Sequence, residues 1–380
     1  MPQIFEQNFG FVDWERLYEI NWKKLREGMR GRGIDSLIVG DVANVKYLTG
    51  YSPMYSYFML NTMVAVLPAD EPKPVLFPIW YYEEFAKVRF KYLKEVRAIP
   101  VDMNKWPEEF EKLGLGKRVG IDSGMTYQLG RLLHEKLKGV EIVVGDDLLA
   151  EARSVKNSEE LKVIEQATAV AEVGFDKAFE ACIPGAKEFD VAAEAEHAMR
   201  LAGAEAATHT LVMSEENAAS MKETSTDRMI RHQDTVVFDL GAIYEGYNSE
   251  FSRTKFVGGA SKHQLEVFKL VYEAEQKAIE NIRPGASCAE VDSIARKVLR
   301  EGGWGPPYEY NYNLGHGIGV ALWEYPILDE RSKATFKENM TLAIEPAVYK
   351  HGFGGVRVED MVQVTSSGAK ILSRTPYYYA

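Results

Sequence analysis

The chain has 380 residues, a formal net charge of −11, 46% apolar and 27% charged residues, and two cysteines. At roughly 150 residues per domain the length predicts about two domains, and the composition lies in the globular range rather than the disordered one. The acidic balance disfavours nucleic acid or an anionic membrane as a partner, and Cys182 and Cys288 alone exclude a disulfide framework or a thiolate zinc site.

Apolar runs fall short of the roughly 18 residues a membrane helix needs, and the first residues lack a basic stretch followed by an apolar run. A cytoplasmic protein is expected.

The first 150 residues alternate helical and strand patterns. Trp14 to Arg32 sets Leu17, Ile20, Leu25 and Met29 at helical spacing and stops at Gly33. Asp35 to Gly40 reads as a short buried strand, and Asn61 to Phe77 as two strands around the turn Pro68 to Pro72. Val119 to Asp122 and Val140 to Val144 are further strands, separated by a helix from about Tyr127 to Leu137. This alternation predicts a small α/β domain over residues 1–153. Tyr51, Tyr55, Tyr57, Phe58, Trp80, Tyr81 and Tyr82 form an aromatic cluster suited to core or dimer contacts, with pocket lining as the alternative.

A second domain, 154–380, is expected to open with a long helix, because Asn157 and Glu160 have the spacing of a capping box and the pattern runs to about Ala181. An internal repeat follows at an offset of 100 residues. Ile183-Pro-Gly-Ala186, Val191 and a helix to Gly203 match Arg283-Pro-Gly-Ala286, Val291 and a helix to Gly302-Gly303. Two related αβ halves are predicted, with a site where they meet.

The first half carries Asp239 after the β-branched run Thr235-Val-Val-Phe, and Glu250 lies 11 residues later. A hairpin would bring the two carboxylates together across neighbouring strands. The second half carries Glu345 in Ala-Ile-Glu-Pro, a glycine-rich turn at 351–355, and Glu359 in Val-Arg357-Val-Glu-Asp. Between them, Gly315-His316-Gly-Ile-Gly319 flanks a histidine with glycines that permit close backbone approach. Four acids cannot share a core unpaired: a cation neutralises them or they face water. Carboxylates with one imidazole suit a pair of divalent metals such as Mn²⁺ or Fe²⁺. The chain has neither a phosphate-binding glycine loop nor a serine nucleophile elbow.

The Asp239–Glu250 hairpin with Ser252-Arg-Thr254, Gly-His-Gly-Ile-Gly, Ile-Glu-Pro and Val-Arg-Val-Glu-Asp resembles the metal motifs of the pita-bread metallohydrolases, in particular the prolidase/creatinase branch, over essentially the whole chain. The superfamily includes Xaa-Pro dipeptidases, Xaa-Pro and methionine aminopeptidases, creatinase and dimethylsulfoniopropionate lyase. The resemblance implies a creatinase-like N-terminal α/β domain followed by a pita-bread domain of two pseudo-symmetric halves, and a homodimer. It also implies two divalent ions (Mn, Fe, Co or Zn) held by Asp239, Glu250, His316, Glu345 and Glu359, with Glu250 and Glu359 bridging and Glu345 shuttling protons. Arg357 would orient a ligand carboxylate, and Tyr247 and His209 would lie near substrate. Amide or C–N hydrolysis of a small substrate or dipeptide is the implied activity.

Three positions depart from the peptidase pattern. Glu250 stands where the peptidases have Asp. Lys222, after Asn217-Ala-Ala, stands where they have a substrate-side histidine, and Trp323 in Trp-Glu-Tyr-Pro replaces the histidine of His-Glu-Xaa-Pro. Lys222 would stabilise an oxyanion or bind a carboxylate, and Trp323 would stack on a cationic group. Two readings therefore stand beside the Xaa-Pro peptidase: a non-peptidase acting on a small cationic or zwitterionic substrate (a metal-free creatinase-like C–N hydrolase or a dimethylsulfoniopropionate-lyase-like enzyme), and a non-catalytic binding module.

Overall fold

The structure is a computed structural model that describes residues 11–52, 63–222 and 224–379. Of the aromatic cluster, Tyr55, Tyr57 and Phe58 lie outside the described residues, as does Asn61 at the expected start of a strand. Two compact units are present, Met1–Arg153 with Asn157–Glu160, and Ser154–Lys156 with Leu161–Ala380.

The first unit is built on one mixed sheet of β1 (Ser36–Val39), β2 (Met63–Leu67), β3 (Val75–Pro78), β4 (Glu95–Val96), β5 (Arg118–Ile121) and β6 (Glu141–Val144), in spatial order β4-β3-β2-β1-β5-β6. Its helices are α1 (Trp14–Arg32), α2 (Val42–Thr49), α3 (Glu83–Arg89), α4 (Trp106–Glu111), α5 (Tyr127–Lys136) and α6 (Asp146–Ser154). Asp13 caps α1 by accepting from the Arg16 N–H, and Gly33 closes it in the left-handed region at φ 63°. Leu17, Leu25 and Met29 lie buried along its inner face, whereas Ile20 is only half-buried. Asp122, at the end of β5, accepts hydrogen bonds from the Gly40 and Asp41 N–H groups and from Asn44 Nδ2, tying the β1–α2 turn to the sheet.

The second unit contains α7 (Ser158–Ala181) from Leu161 onward, α8 (Glu188–Leu201), β7 (Ala206–Ser214), α9 (Glu216–Ala219), β8 (Thr235–Tyr244), β9 (Tyr247–Asn248) and β10 (Phe251–Phe256). It continues with α10 (Lys262–Glu280), α11 (Cys288–Glu301), β11 (Gly315–Gly317), β12 (Glu324–Leu328), β13 (Thr341–Ile344), β14 (Ala347–Lys350), β15 (Gly354–Arg357), β16 (Asp360–Thr365), β17 (Gly368–Ile371) and β18 (Tyr378–Tyr379). The capping box ahead of α7 is formed: Asn157 N–H donates to Glu160 Oε2 (2.9 Å), and Glu160 N–H to Asn157 Oδ1 (3.0 Å).

The expected pseudo-symmetry is visible bond by bond. In the first half Gly185 N–H donates to Ile230 O, and Ile230 N–H to Ala186 O; in the second, Gly285 N–H donates to Phe336 O, and Phe336 N–H to Ala286 O. Both glycines have positive φ, 94° and 87°, so each turn needs the residue without a Cβ. One sheet runs β18-β10-β8-β7 with β9 paired to β8, and the other runs β12-β11-β13-β16-β17. The helices α10 and α11 pack into a core shared with the second sheet, including Val271, Ala295, Leu299, Leu342, Ile344 and Val362.

Candidate metal centre

Sheet register decides which side chains meet. On β8, Asp239 sits opposite Ser252 of β10, and Glu250 falls in the short link between β9 and β10. Gly241 makes that link possible. A Cβ there would lie 2.0 Å from the Ser249 carbonyl oxygen and 2.1 Å from Thr208 Oγ1, so a side chain would push the link that carries Glu250 away. Gly315 plays the same part on β11, since its Cβ would lie 2.0 Å from the Ala343 carbonyl oxygen. Through this contact β11 packs on β13, with His316 opposite Ala343. Glu345 immediately follows β13 and Glu359 immediately precedes β16, and those two strands are paired with Ile344 opposite Asp360.

Asp239, Glu250, His316, Glu345 and Glu359 are all buried. His316 Nε2 lies 3.4 Å from Glu250 Oε2 and 3.8 Å from Glu345 Oε1. Its Nδ1 lies 2.9 Å from the Gly317 carbonyl oxygen, which only accepts, so Nδ1 carries the proton and Nε2 presents a lone pair to the acids. Burial pushes the imidazole down to about 4, which keeps it neutral. His209 Nε2 lies 2.8 Å from Asp239 Oδ1 and 3.6 Å from Glu250 Oε1.

Arg357, at the end of β15, donates from Nη1 to Asp239 Oδ2 and from Nε to the Tyr349 hydroxyl (2.9 Å), which in turn lies 3.0 Å from the Tyr312 hydroxyl. Ser252 Oγ donates to Glu359 Oε2 at 2.6 Å. Thr254 Oγ1 donates to the Arg357 carbonyl oxygen (2.8 Å), fixing β15 against β10.

The acids fall into two electrostatic classes. Burial alone would raise Asp239, but the His209 ring and the Arg357 guanidinium beside it hold it well below the usual carboxylate range. Burial pushes Glu250 and Glu345 well above that range, with neighbouring acids adding to the shift, and pushes Glu359 up to about 7. Among the described residues, three buried atoms here have no hydrogen-bond partner: Glu250 Oε2, Glu359 Oε1 and His316 Nε2. A lone-pair nitrogen facing carboxylate oxygens is satisfied by a cation rather than by a further acceptor. The donor set, carboxylates with neutral imidazole, fits divalent metal ions.

Residues 162–366 match Metallopeptidase family M24, and residues 22–155 match the Creatinase/Prolidase N-terminal domain. The chain belongs to metallopeptidase family M24. It is 34% identical to the Xaa-Pro dipeptidase of Pyrococcus horikoshii over 93% of this chain and 96% of that one. The crystal structure of the prolidase from Pyrococcus horikoshii OT3 superposes with a TM-score of 0.83 at 32% identity, covering 94% of this chain and 98% of the other. The prolidase from Pyrococcus furiosus gives a TM-score of 0.80 at 31% identity, covering 92% and 99%. As an M24 member the chain is a metallohydrolase, and the family implies divalent metal ions.

The positions at which this M24 chain departs from the peptidase pattern are distributed unevenly. Glu250 reaches the cluster and lies with an oxygen toward each histidine, Oε1 toward His209 and Oε2 toward His316. Trp323 stacks on the His316 ring, centroids 4.7 Å apart and planes at 24°, while 54% of its surface stays exposed. The indole therefore roofs the imidazole and leaves an outer face open. Lys222 is exposed in the turn after α9, where its N–H donates to the Asn217 carbonyl oxygen. Tyr247 is buried at the tip of the β8–β9 hairpin, opposite Tyr244.

Sequence reasoning assigned no role to Ser252, Tyr312 or Tyr349. A signal existed for Ser252, two residues beyond Glu250 in an extended segment. None existed for the tyrosines: Tyr349 reaches Arg357 through the packing of β14 on β15, and Tyr312 lies under the Arg357 guanidinium from a distant part of the chain.

Proposed function

We propose that this M24 member is a metal-dependent hydrolase of Xaa-Pro dipeptides and closely similar small amides. It would carry two divalent ions, of Mn, Fe, Co or Zn, held by Asp239, Glu250, His316, Glu345 and Glu359. The observation that carries the proposal is the set of buried donor atoms that, among the described residues, have no hydrogen-bond partner: Glu250 Oε2, Glu359 Oε1 and His316 Nε2. Relatives named Xaa-Pro dipeptidase at 33–34% identity support the substrate class.

The ions, when bound, supply Lewis-acid polarisation of the substrate carbonyl and activation of water for attack on it. The chain does the rest. Arg357 Nη1 fixes Asp239 Oδ2, and the Tyr349 hydroxyl fixes Arg357 Nε, so Asp239 is held in one orientation. Ser252 Oγ holds Glu359 Oε2 in the same way. Glu345 would take up the proton released by the attacking water and return it to the leaving amine. Trp323 excludes water from one face of His316, and Lys222 offers a cation to the free carboxylate of a dipeptide.

The exposed apolar face of Trp80, Tyr81, Phe85 and Val88 supports a homodimer, and the free, buried Cys182 and Cys288 support a reducing, cytoplasmic setting. The domains would be 1–153 and 154–380. The replacement of a histidine by Trp323, with its outer face exposed, favours one second reading, a small cationic or zwitterionic substrate capped by the indole.

The test is elemental analysis of protein purified without chelators, together with hydrolysis of Xaa-Pro dipeptides before and after chelation. About two equivalents of divalent metal per chain, and dipeptide turnover lost on chelation and restored by metal, is the expected result. Absence of bound metal after incubation with Mn²⁺ or Co²⁺ would overturn the proposal. Two equivalents of metal without dipeptide turnover would shift it to the zwitterion reading.

A further inference from the structure

Glu250 lies between two imidazoles. Its Oε2 is 3.4 Å from His316 Nε2, and its Oε1 is 3.6 Å from His209 Nε2. His209 Nε2 is also 2.8 Å from Asp239 Oδ1, and the three donor atoms of His209, Asp239 and Glu250 lie within 4.8 Å of one another.

Donors that share one ion at about 2.1 Å stand roughly 3.0 Å apart along an octahedral edge and roughly 3.4 Å apart along a tetrahedral one. The contacts of His209 span that range. The 3.4 Å contact of His316 with Glu250 matches the tetrahedral edge, and its 3.8 Å contact with Glu345 Oε1 lies just beyond. The cluster thus has two ends joined by Glu250, one with His209 and Asp239, the other with His316 and Glu345. Buried, unpartnered Glu250 Oε2 and His316 Nε2 point into it, so its polar groups call for a ligand rather than satisfying one another.

We infer that His209 Nε2 is a sixth protein donor of the centre, so that each of the two ions is bound through one imidazole. This rests on the metal-dependent reading above and adds a ligand to its five-residue set. Two imidazoles in place of one move the centre toward Zn²⁺, Co²⁺ and Fe²⁺, which imidazole suits, and away from an all-oxygen preference for Mn²⁺ or Mg²⁺. The extra methylene of Glu250 lets the carboxylate keep an oxygen toward each histidine.

The experiment is titration of the metal-free full chain with Co²⁺, followed by proton NMR of the loaded protein and by the same titration of His209→Gln. A histidine bound to Co²⁺ through Nε2 gives a strongly shifted resonance from its Nδ1–H. The expected result is two such resonances in the unaltered protein, one in His209→Gln, and affinity for one of the two Co²⁺ equivalents lowered 10- to 100-fold in the variant.

Two bound Co²⁺ with a single shifted imidazole resonance in the unaltered protein would overturn the inference, whatever the variant's folding, and would leave His209 as a hydrogen-bond partner of Asp239. Unchanged affinity for both equivalents in His209→Gln would overturn it as well. No Co²⁺ binding by the unaltered protein would overturn the metal-dependent reading with it.

Discussion

Arg253 and Asp360 form an ion pair, Nη2 to Oδ1 at 2.7 Å, with both side chains wholly removed from solvent. They are the chain neighbours of Ser252 and Glu359, so the pair joins the two sheets directly behind the cluster of acids. Arg253 Nη1 also donates to the Glu359 carbonyl oxygen, and its guanidinium lies between the rings of Phe251 and Tyr377. Asp360 accepts in addition from Ser373 Oγ and from the Tyr377 hydroxyl.

Removing one partner strands the other charge in a dry interior. Asp360→Asn is therefore expected to destabilise the protein by about 3–5 kcal/mol, far more than loss of an exposed pair would. Urea unfolding of the variant checks this; a loss under about 1 kcal/mol would show the pair to be energetically idle.

Gly241→Ala places a methyl group where the Ser249 carbonyl oxygen and Thr208 Oγ1 already stand. The link carrying Glu250 has to move. The expected cost is about 1–3 kcal/mol or more in stability, with a marked loss of metal affinity measured by calorimetric titration. Unaltered affinity would mean that the link between β9 and β10 does not depend on this contact.

Tyr349→Phe deletes the hydroxyl that accepts from Arg357 Nε and leaves the packing of the ring intact. Stability should fall by only about 1 kcal/mol. Metal affinity or activity should fall about 10-fold, because Arg357 then holds Asp239 less firmly. Equal effects on melting temperature and on activity would instead indicate a purely structural role.

Asp122 gives the first unit a pH dependence of its own. Burial pushes its carboxyl up to about 6, above the ordinary 3.8, against the opposing hydrogen bonds from Asp41, Gly40 and Asn44. The folded state therefore binds this proton more readily than the unfolded chain between about pH 4 and 6. This group's contribution to stability falls as pH rises through that window, by of the order of 2–3 kcal/mol in total. Comparing the thermal stability of the unaltered protein with Asp122→Asn from pH 7 to pH 4 tests it: the difference should move in favour of the unaltered protein on acidification.

Local chemistry made much of the architecture legible. Asp13, Gly33, Asn157 and Glu160 mark helix ends by hydrogen bonds that a few neighbouring residues determine, and the paired Pro-Gly-Ala turns reveal the halves. The helix α2 was invisible because Asn44 to Thr49 are buried on all sides, which erases the amphipathic period. At the site, residue types and motif spacing pointed to the acids and to His316. The place of His209 beside Asp239 and Glu250, and the chain from Tyr312 through Tyr349 to Arg357, depend on how β7 lies against β8 and β14 against β15, which spacing along the chain does not encode. The exposed position of Lys222 was equally unreadable, since a motif offset says nothing about which way a turn faces.

The stacking of Trp323 on His316 also turns the protein into its own optical probe. Indole emission responds to charge and to paramagnetic ions within a few ångströms, and this ring lies flat against the imidazole whose free nitrogen faces the acids. Loading with cobalt or copper would quench that emission and loading with zinc would spare it. Occupancy of the His316 end could then be followed in real time without label or substrate, with Trp323→Phe separating its signal from those of the other tryptophans.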